Sequence, residues 1–163
     1  MSLEAELKSG HLRRGNIHYF PVVPGKLEFA LALRKLLLAS RPKVVAVELP
    51  GFLERAYQRA LARLPEITVI LYHEAPSGRG SNGKEEDERA IYVPVDPCDP
   101  FVEALRTAAE IGAQVLFLEP DSADRPHLPD TYPDTYAVRR IGPDPYIEAY
   151  RVYPQMRTEE VTA

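Results

Sequence analysis

Four short apolar runs in this chain each end in an acid. Glu48 follows Val44-Val45-Ala46-Val47, His73-Glu74 close "ITVILYH", Asp96 follows "AIYVPV", and Glu119 with Asp121 follow "QVLF". A histidine set among carboxylates can take and return a proton while a neighbouring carboxylate holds its tautomer. The same donors could hold a divalent ion through oxygen and imidazole. The pattern predicts Glu48, His73 and Asp96 as the catalytic set, Glu48 and His73 forming the acid/base pair. Asp96 and Asp121 would position substrate, water or a metal ion, with Glu74 and Glu119 beside them. Strand ends are also where polar residues ordinarily begin, so a polar collar without chemistry is the competing reading, and whether a metal or other cofactor takes part stays open.

A common edge for these residues requires strands that run side by side. The runs at 16–23, 43–49, 67–73, 90–95 and 114–119 alternate with segments of helical period, the signature of a parallel sheet with helices on both faces. "KLEFALALRKLLLAS" (26–40) is strongly apolar, and Pro42 stops it. "FLERAYQRALARL" (52–64) gathers Phe52/Leu53, Ala56/Tyr57, Ala60/Leu61 and Leu64 on one face. Asp99-Pro100 starts a helix with a side-chain cap and a proline at its first position, and Gly112 ends it. The expected fold is a three-layer α/β domain over 16–121 with a mostly parallel five-stranded sheet. A lead-in (1–15), a mobile loop (75–89) and an irregular proline- and tyrosine-rich tail (122–163), with one helix around 145–153, complete it. In such sheets ligands bind at the strand C-termini.

Several motifs carry less. "GRGSNG" (78–83) matches G-x-G-x-x-G formally, but it follows the third strand and runs into "KEEDER", which repels phosphate. His18 lies about 13 Å before Val22 along an extended strand, so it reads as structural. Cys98 stands before a helix N-terminus with no base beside it, and neither H-E-x-x-H nor C-x-x-C spacing occurs. The tyrosines at 132, 136, 146, 150 and 153 either form an aromatic binding surface, which could also serve oligomerisation, or pin the tail to the domain.

The chain has 163 residues, 45% hydrophobic and 27% charged, with a formal charge of −4. That length suffices for a core, and the acidic balance argues against a nucleic-acid partner. A single cysteine and the absence of a long apolar run favour a reducing, cytoplasmic setting without a membrane span. The close on "QMRTEEVTA" reads as the end of an N-terminal piece of something longer.

"LRKLLLASRPKVVAVELP" resembles the signature of the erythromycin-esterase/ChaN-like superfamily, which includes the TraB and Tiki proteins. "IYVPVDPCDPFVEALRTAAEIGAQVLFLEPD" (91–121) is similar to a later block in its uncharacterised bacterial branches. The resemblance covers about 16–121 and implies a hydrolase-like ancestor, with members acting as esterases, metal-dependent proteases or haem-related proteins. It makes Glu48 the ancestral acid. The partner histidine of a G-x-x-H turn is either His18 in Gly15-Asn16-Ile17-His18, displaced by an extension, or lost, leaving Pro21 or Val22 in its place. Hydrolysis at the strand C-termini and a non-catalytic domain that binds a ligand or another protein are therefore both expected outcomes.

Overall fold

A computed structural model describes residues 12–74, 89–119, 132 and 134–150. The elements run β1 (Leu12–Arg14), β2 (Ile17–Tyr19), α1 (Leu27–Ser40), β3 (Val44–Pro50), a 3-10 turn (Gly51–Leu53), α2 (Glu54–Leu61), β4 (Thr68–Glu74), β5 (Arg89–Val95), α3 (Pro100–Ile111), β6 (Gln114–Glu119), α4 (Ala137–Ile141) and α5 (Pro143–Tyr150). The apolar runs and helical segments therefore fall close to where the residue pattern puts them. Their pairing does not.

In place of one five-stranded, mostly parallel sheet, the described residues form three two-stranded ladders: β1–β2, β3–β6 and β4–β5. Only β3–β6 is parallel. β4 and β5 are antiparallel, with Thr68 opposite Val95, Ile70 opposite Val93 and His73 opposite Ala90. The reason lies in the connections. A parallel pair needs a crossover, usually a helix, as α3 supplies before β6, whereas an antiparallel pair does not; the mobile loop expected at 75–89 lies, but for Arg89, outside the described residues. The expected strand at 16–23 is also corrected. Gly15, at a φ of 59°, and Asn16 form a tight turn that folds β2 back on β1 as a hairpin. Pro21 and Pro24 then remove the backbone donors that a longer strand would need.

The inner faces of both larger ladders meet the helices. Val45 and Val47 of β3, Ile70 of β4 and Val95 of β5 share one core with Leu33 and Leu37 of α1, Leu53, Tyr57 and Ala60 around α2, and Val102, Leu105 and Ala108 of α3. The outer faces stay open: Val44, Val69, Leu71, Tyr92, Leu116 and Leu118 are all exposed. Burial of β3 on both faces, expected from its unbroken apolar run, thus gives way to alternation from Val44 to Glu48, with the described helices packed on its buried face.

Helices α1 and α3 are locked by a polar cluster under the core. The Glu103 carboxylate, nearly inaccessible, accepts hydrogen bonds from Arg34 Nη1 (3.1 Å), from Thr107 Oγ1 (2.6 Å) and from Arg106 Nε and Nη2 (3.0 and 2.7 Å). Arg34 also reaches Glu110, so its guanidinium is held above its ordinary pKa chiefly by hydrogen bonding to Glu110 and Glu103; the Glu110 carboxyl is lowered by the same contact. Every oxygen of the buried charge is satisfied, which is the condition under which a carboxylate can sit inside a helix interface.

Part of the expected irregular tail is helical. Val138 of α4 and Tyr146 and Ile147 of α5 close a second core over Val23 and Phe29, with Phe20, Tyr132 and Ala137 packed against it. Tyr146 stands edge-on to Phe29, with ring centroids 6.3 Å apart. Tyr136 remains 84% exposed and carries the Lys26 ammonium 5.2 Å from its ring centre. Pinning therefore describes Tyr146 and Tyr132, while the side chain of Tyr150 and all of Tyr153 lie outside the described residues.

Candidate functional site

The parallel register of β3–β6, from Val44 opposite Gln114 to Pro50 opposite Glu119, brings Glu48 and Glu119 to one edge. Twelve residues of α3 are about 18 Å long and β6 is about 20 Å, so the reversal at Gly112 returns the start of α3 to that same edge. Asp99 caps this helix. The 3-10 turn and α2 leave β3 directly after Pro50 and carry Phe52 and Tyr57.

Tyr57 is the most distinctive group at this edge. It is 4% exposed, and its ring centre lies 6.1 Å from that of Phe117 on β6. Burial pushes its phenol up from 10.0 to about 12, and the charges of Asp99, Tyr72 and Glu119 push in the same direction. Tyr72 of β4 in turn meets Phe52 edge-on at 5.2 Å. Two aromatic pairs, Tyr57 with Phe117 and Phe52 with Tyr72, and the half-buried Glu119 thus belong to the elements that meet at this edge. The residue pattern placed Tyr57 on the apolar face of a helix and read it as core. The signal that could have singled it out was its position in the turn-and-helix segment that follows Glu48.

The expected catalytic residues have other fates. Asp96 Oδ1 accepts from the Cys98 backbone N–H at 2.8 Å, closing a turn. Asp99 Oδ1 accepts from Phe101 and Val102 N–H (2.8 and 3.3 Å), and Oδ2 from Gly25 N–H at 2.8 Å, which anchors the loop before α1. Gly25 has a φ of 68°, a left-handed conformation that few side chains adopt.

His73 is exposed beside the β5 start, because it pairs with Ala90, whereas Asp96 follows Val95 at the level of Thr68. At about 3.4 Å per residue, the antiparallel register separates His73 from Asp96 by about 20 Å. The two are not brought together. Glu48 is exposed on β3, Glu74 closes the β4 ladder opposite Arg89, and Asp121 lies outside the described residues, as does "GRGSNG". His18 is exposed in the β1–β2 hairpin opposite Arg13. Among the described residues no group of three or more histidine, cysteine, aspartate or glutamate side chains could hold a metal ion.

Cys98 gains nothing from its place before α3, since burial and then the Asp96 carboxylate push its thiol up rather than down. Among the described residues no helix is long and apolar enough to cross a membrane. Neither a scan of protein-family models nor searches of curated proteins and solved structures found a match to this chain.

Proposed function

We propose that this domain binds a small ligand at the C-terminal edge of β3–β6 without turning it over, as a ChaN-like domain that has lost the family's catalytic histidine. The observation that supports the reading is the register of β4–β5, which parts Asp96 from His73 and so breaks up the expected set of Glu48, His73 and Asp96. General acid–base catalysis needs its groups within hydrogen-bond reach of one reacting centre or one water away, and His73 and Asp96 lie on opposite ends of a ladder. Asp96 and Asp99 are engaged by backbone N–H groups, so they serve as turn and cap. What remains at the edge is the exposed Phe52 ring, paired with Tyr72, and the half-buried Glu119 carboxylate.

The test is turnover. Wild type and Glu48→Gln are assayed against simple esters, phosphoesters and peptides, with stability followed in parallel. Both proteins should give the same background rate and unfold alike, since Glu48 is exposed on its strand. Hydrolysis above background that disappears in Glu48→Gln at unchanged stability would return the chain to the hydrolases.

A further inference from the structure

The outward row of the β4–β5 ladder is exposed without being polar. Val69 and Leu71 alternate with the buried Ile70, Ile67 precedes them at the same spacing, and the register sets Pro94 opposite Val69 and Tyr92 opposite Leu71 on that face. Ile67, Val69, Leu71 and Tyr92 are 54–67% exposed, and Pro94 is exposed beside them. The inward row, by contrast, belongs to the core: Ile70 and Val95 are buried in it and Val93 packs against it. An antiparallel ladder with one face in water ordinarily alternates apolar with polar residues. This one alternates in burial alone, so its residue types suit a ladder covered on both sides.

Size and charge select the cover. At these exposures the five side chains present about 500 Å² of largely apolar surface, near the top of the range for the largest patch on an ordinary monomer. A standard interface takes about 800 Å² from each partner, about two-thirds of it apolar between identical chains, so the patch supplies the apolar part of one half of a dimer interface. None of the five side chains carries a charge at neutral pH. A second copy laying the same face against it therefore buries no like charges, although the chain as a whole carries −4. A partner with a charged surface would lose water here and find no counter-charge, and a chain of this sign is poorly matched to an anionic lipid surface. The outward row of β3–β6 makes the contrast, since the exposed Glu48 and Gln114 interrupt it. Twisted ladders also pack face to face at about −30°, the ordinary geometry of a β-sandwich.

We propose that the chain forms a two-fold symmetric dimer in which the outward face of β4–β5, with Ile67, Val69, Leu71, Tyr92 and Pro94, packs on the same face of a second copy. Tyr92 supplies the largest contact, and Leu71 lies directly across the ladder from it.

The experiment is sedimentation equilibrium of the full chain over about 1–200 μM, a span that covers the weak end of standard-size interfaces. Wild type should reach twice its monomer mass within that range. Leu71→Lys sets two ammonium groups against each other across the two-fold and should weaken association by at least about tenfold. Leu71→Thr, polar yet suited to a strand, should weaken it as well and keeps the face testable if lysine disturbs the fold, which circular dichroism reads. Leu31→Lys, at an exposed site of α1, is the control and should associate as wild type does. NOEs between labelled and unlabelled copies should join Leu71 and Tyr92 to the same face of the partner. A wild-type monomer throughout the range, or a dimer that both Leu71 substitutions leave intact, overturns the proposal. A monomer whose Leu71 and Tyr92 show NOEs to residues 151–163 of its own chain overturns it in favour of an internal cover, and one that sediments with phosphatidylcholine vesicles overturns it in favour of a lipid surface.

Discussion

Phe29→Ala is expected to lower the unfolding free energy by about 3–5 kcal/mol, the range for emptying a fully buried phenylalanine site. Phe29 is 1% exposed and stands between α1 and the C-terminal helices, edge-on to Tyr146 and among Val23, Val138 and Ile147. α4 and α5 are five and eight residues long, too short to hold helical form without packing. Losing the ring should therefore release them as well as leave a cavity. Urea unfolding gives the energy, and amide hydrogen exchange over 137–150 reads the release. Tyr136→Ala is the control: with its ring 84% exposed, it should move stability by less than about 0.5 kcal/mol. Equal effects from the two substitutions would mean that the second core does not hold the tail.

Alkaline pH should weaken the fold through Tyr57. Its phenol is pushed up to about 12 in the folded protein, against 10.0 for the free side chain, because burial and then Asp99, Tyr72 and Glu119 disfavour the charged form. The folded-state value is raised, so the unfolded chain gives up this proton first. Stability is full below pH 10 and falls as pH rises toward 12, where the loss reaches about 2–3 kcal/mol. Tyr57→Phe keeps the ring against Phe117 and removes the titrating oxygen. Its urea midpoint should therefore decline less steeply between pH 9.5 and 11 than that of wild type, a window in the alkaline limb chosen below the folded-state value. Parallel declines in the two proteins would show that the hydroxyl is as solvated in the folded state as in the unfolded one.

Local chemistry was the readable part of this fold. Asp99-Pro100 and Gly112 bound α3 as their residue types imply: Asp99 accepts from Phe101 and Val102 N–H, and Gly112 takes a φ of 72°. Four of the five apolar runs become strands within a residue of their expected ends, while the run at 16–23 is a strand only over Ile17–Tyr19. Strand partners are a different matter, because pairing joins residues far apart in the chain and the same β-branched run suits a parallel or an antiparallel neighbour. A signal existed even there. The residue pattern between the third run and the fourth reads as a loop rather than a helical segment, and without a crossover helix an antiparallel return is the simpler outcome.

The same distinction divides the candidate site. Glu48 and Glu119 do share an edge, since β3 and β6 are parallel. His73 and Asp96 were grouped on the assumption that all strand C-termini point one way, and one reversed strand parts them. The Gly15-Asn16 turn shows a related limit: read as part of G-x-x-H it suggested catalysis, while its two-residue length between short extended runs is that of a hairpin. The Glu103 cluster was hidden for another reason. Its Arg34 donor comes from a helix 69 residues earlier, and nothing local to either helix announces the match.

The measurement that bears most directly on the central claim is the cross-strand NOE pattern of β4 and β5, because the parting of His73 from Asp96 follows from their register. Antiparallel pairing predicts contacts of Thr68 with Val95, Ile70 with Val93 and Tyr72 with Ile91, and none between His73 and Asp96. Contacts placing His73 beside Val95 or Asp96 would contradict the account and bring the expected set of Glu48, His73 and Asp96 back together.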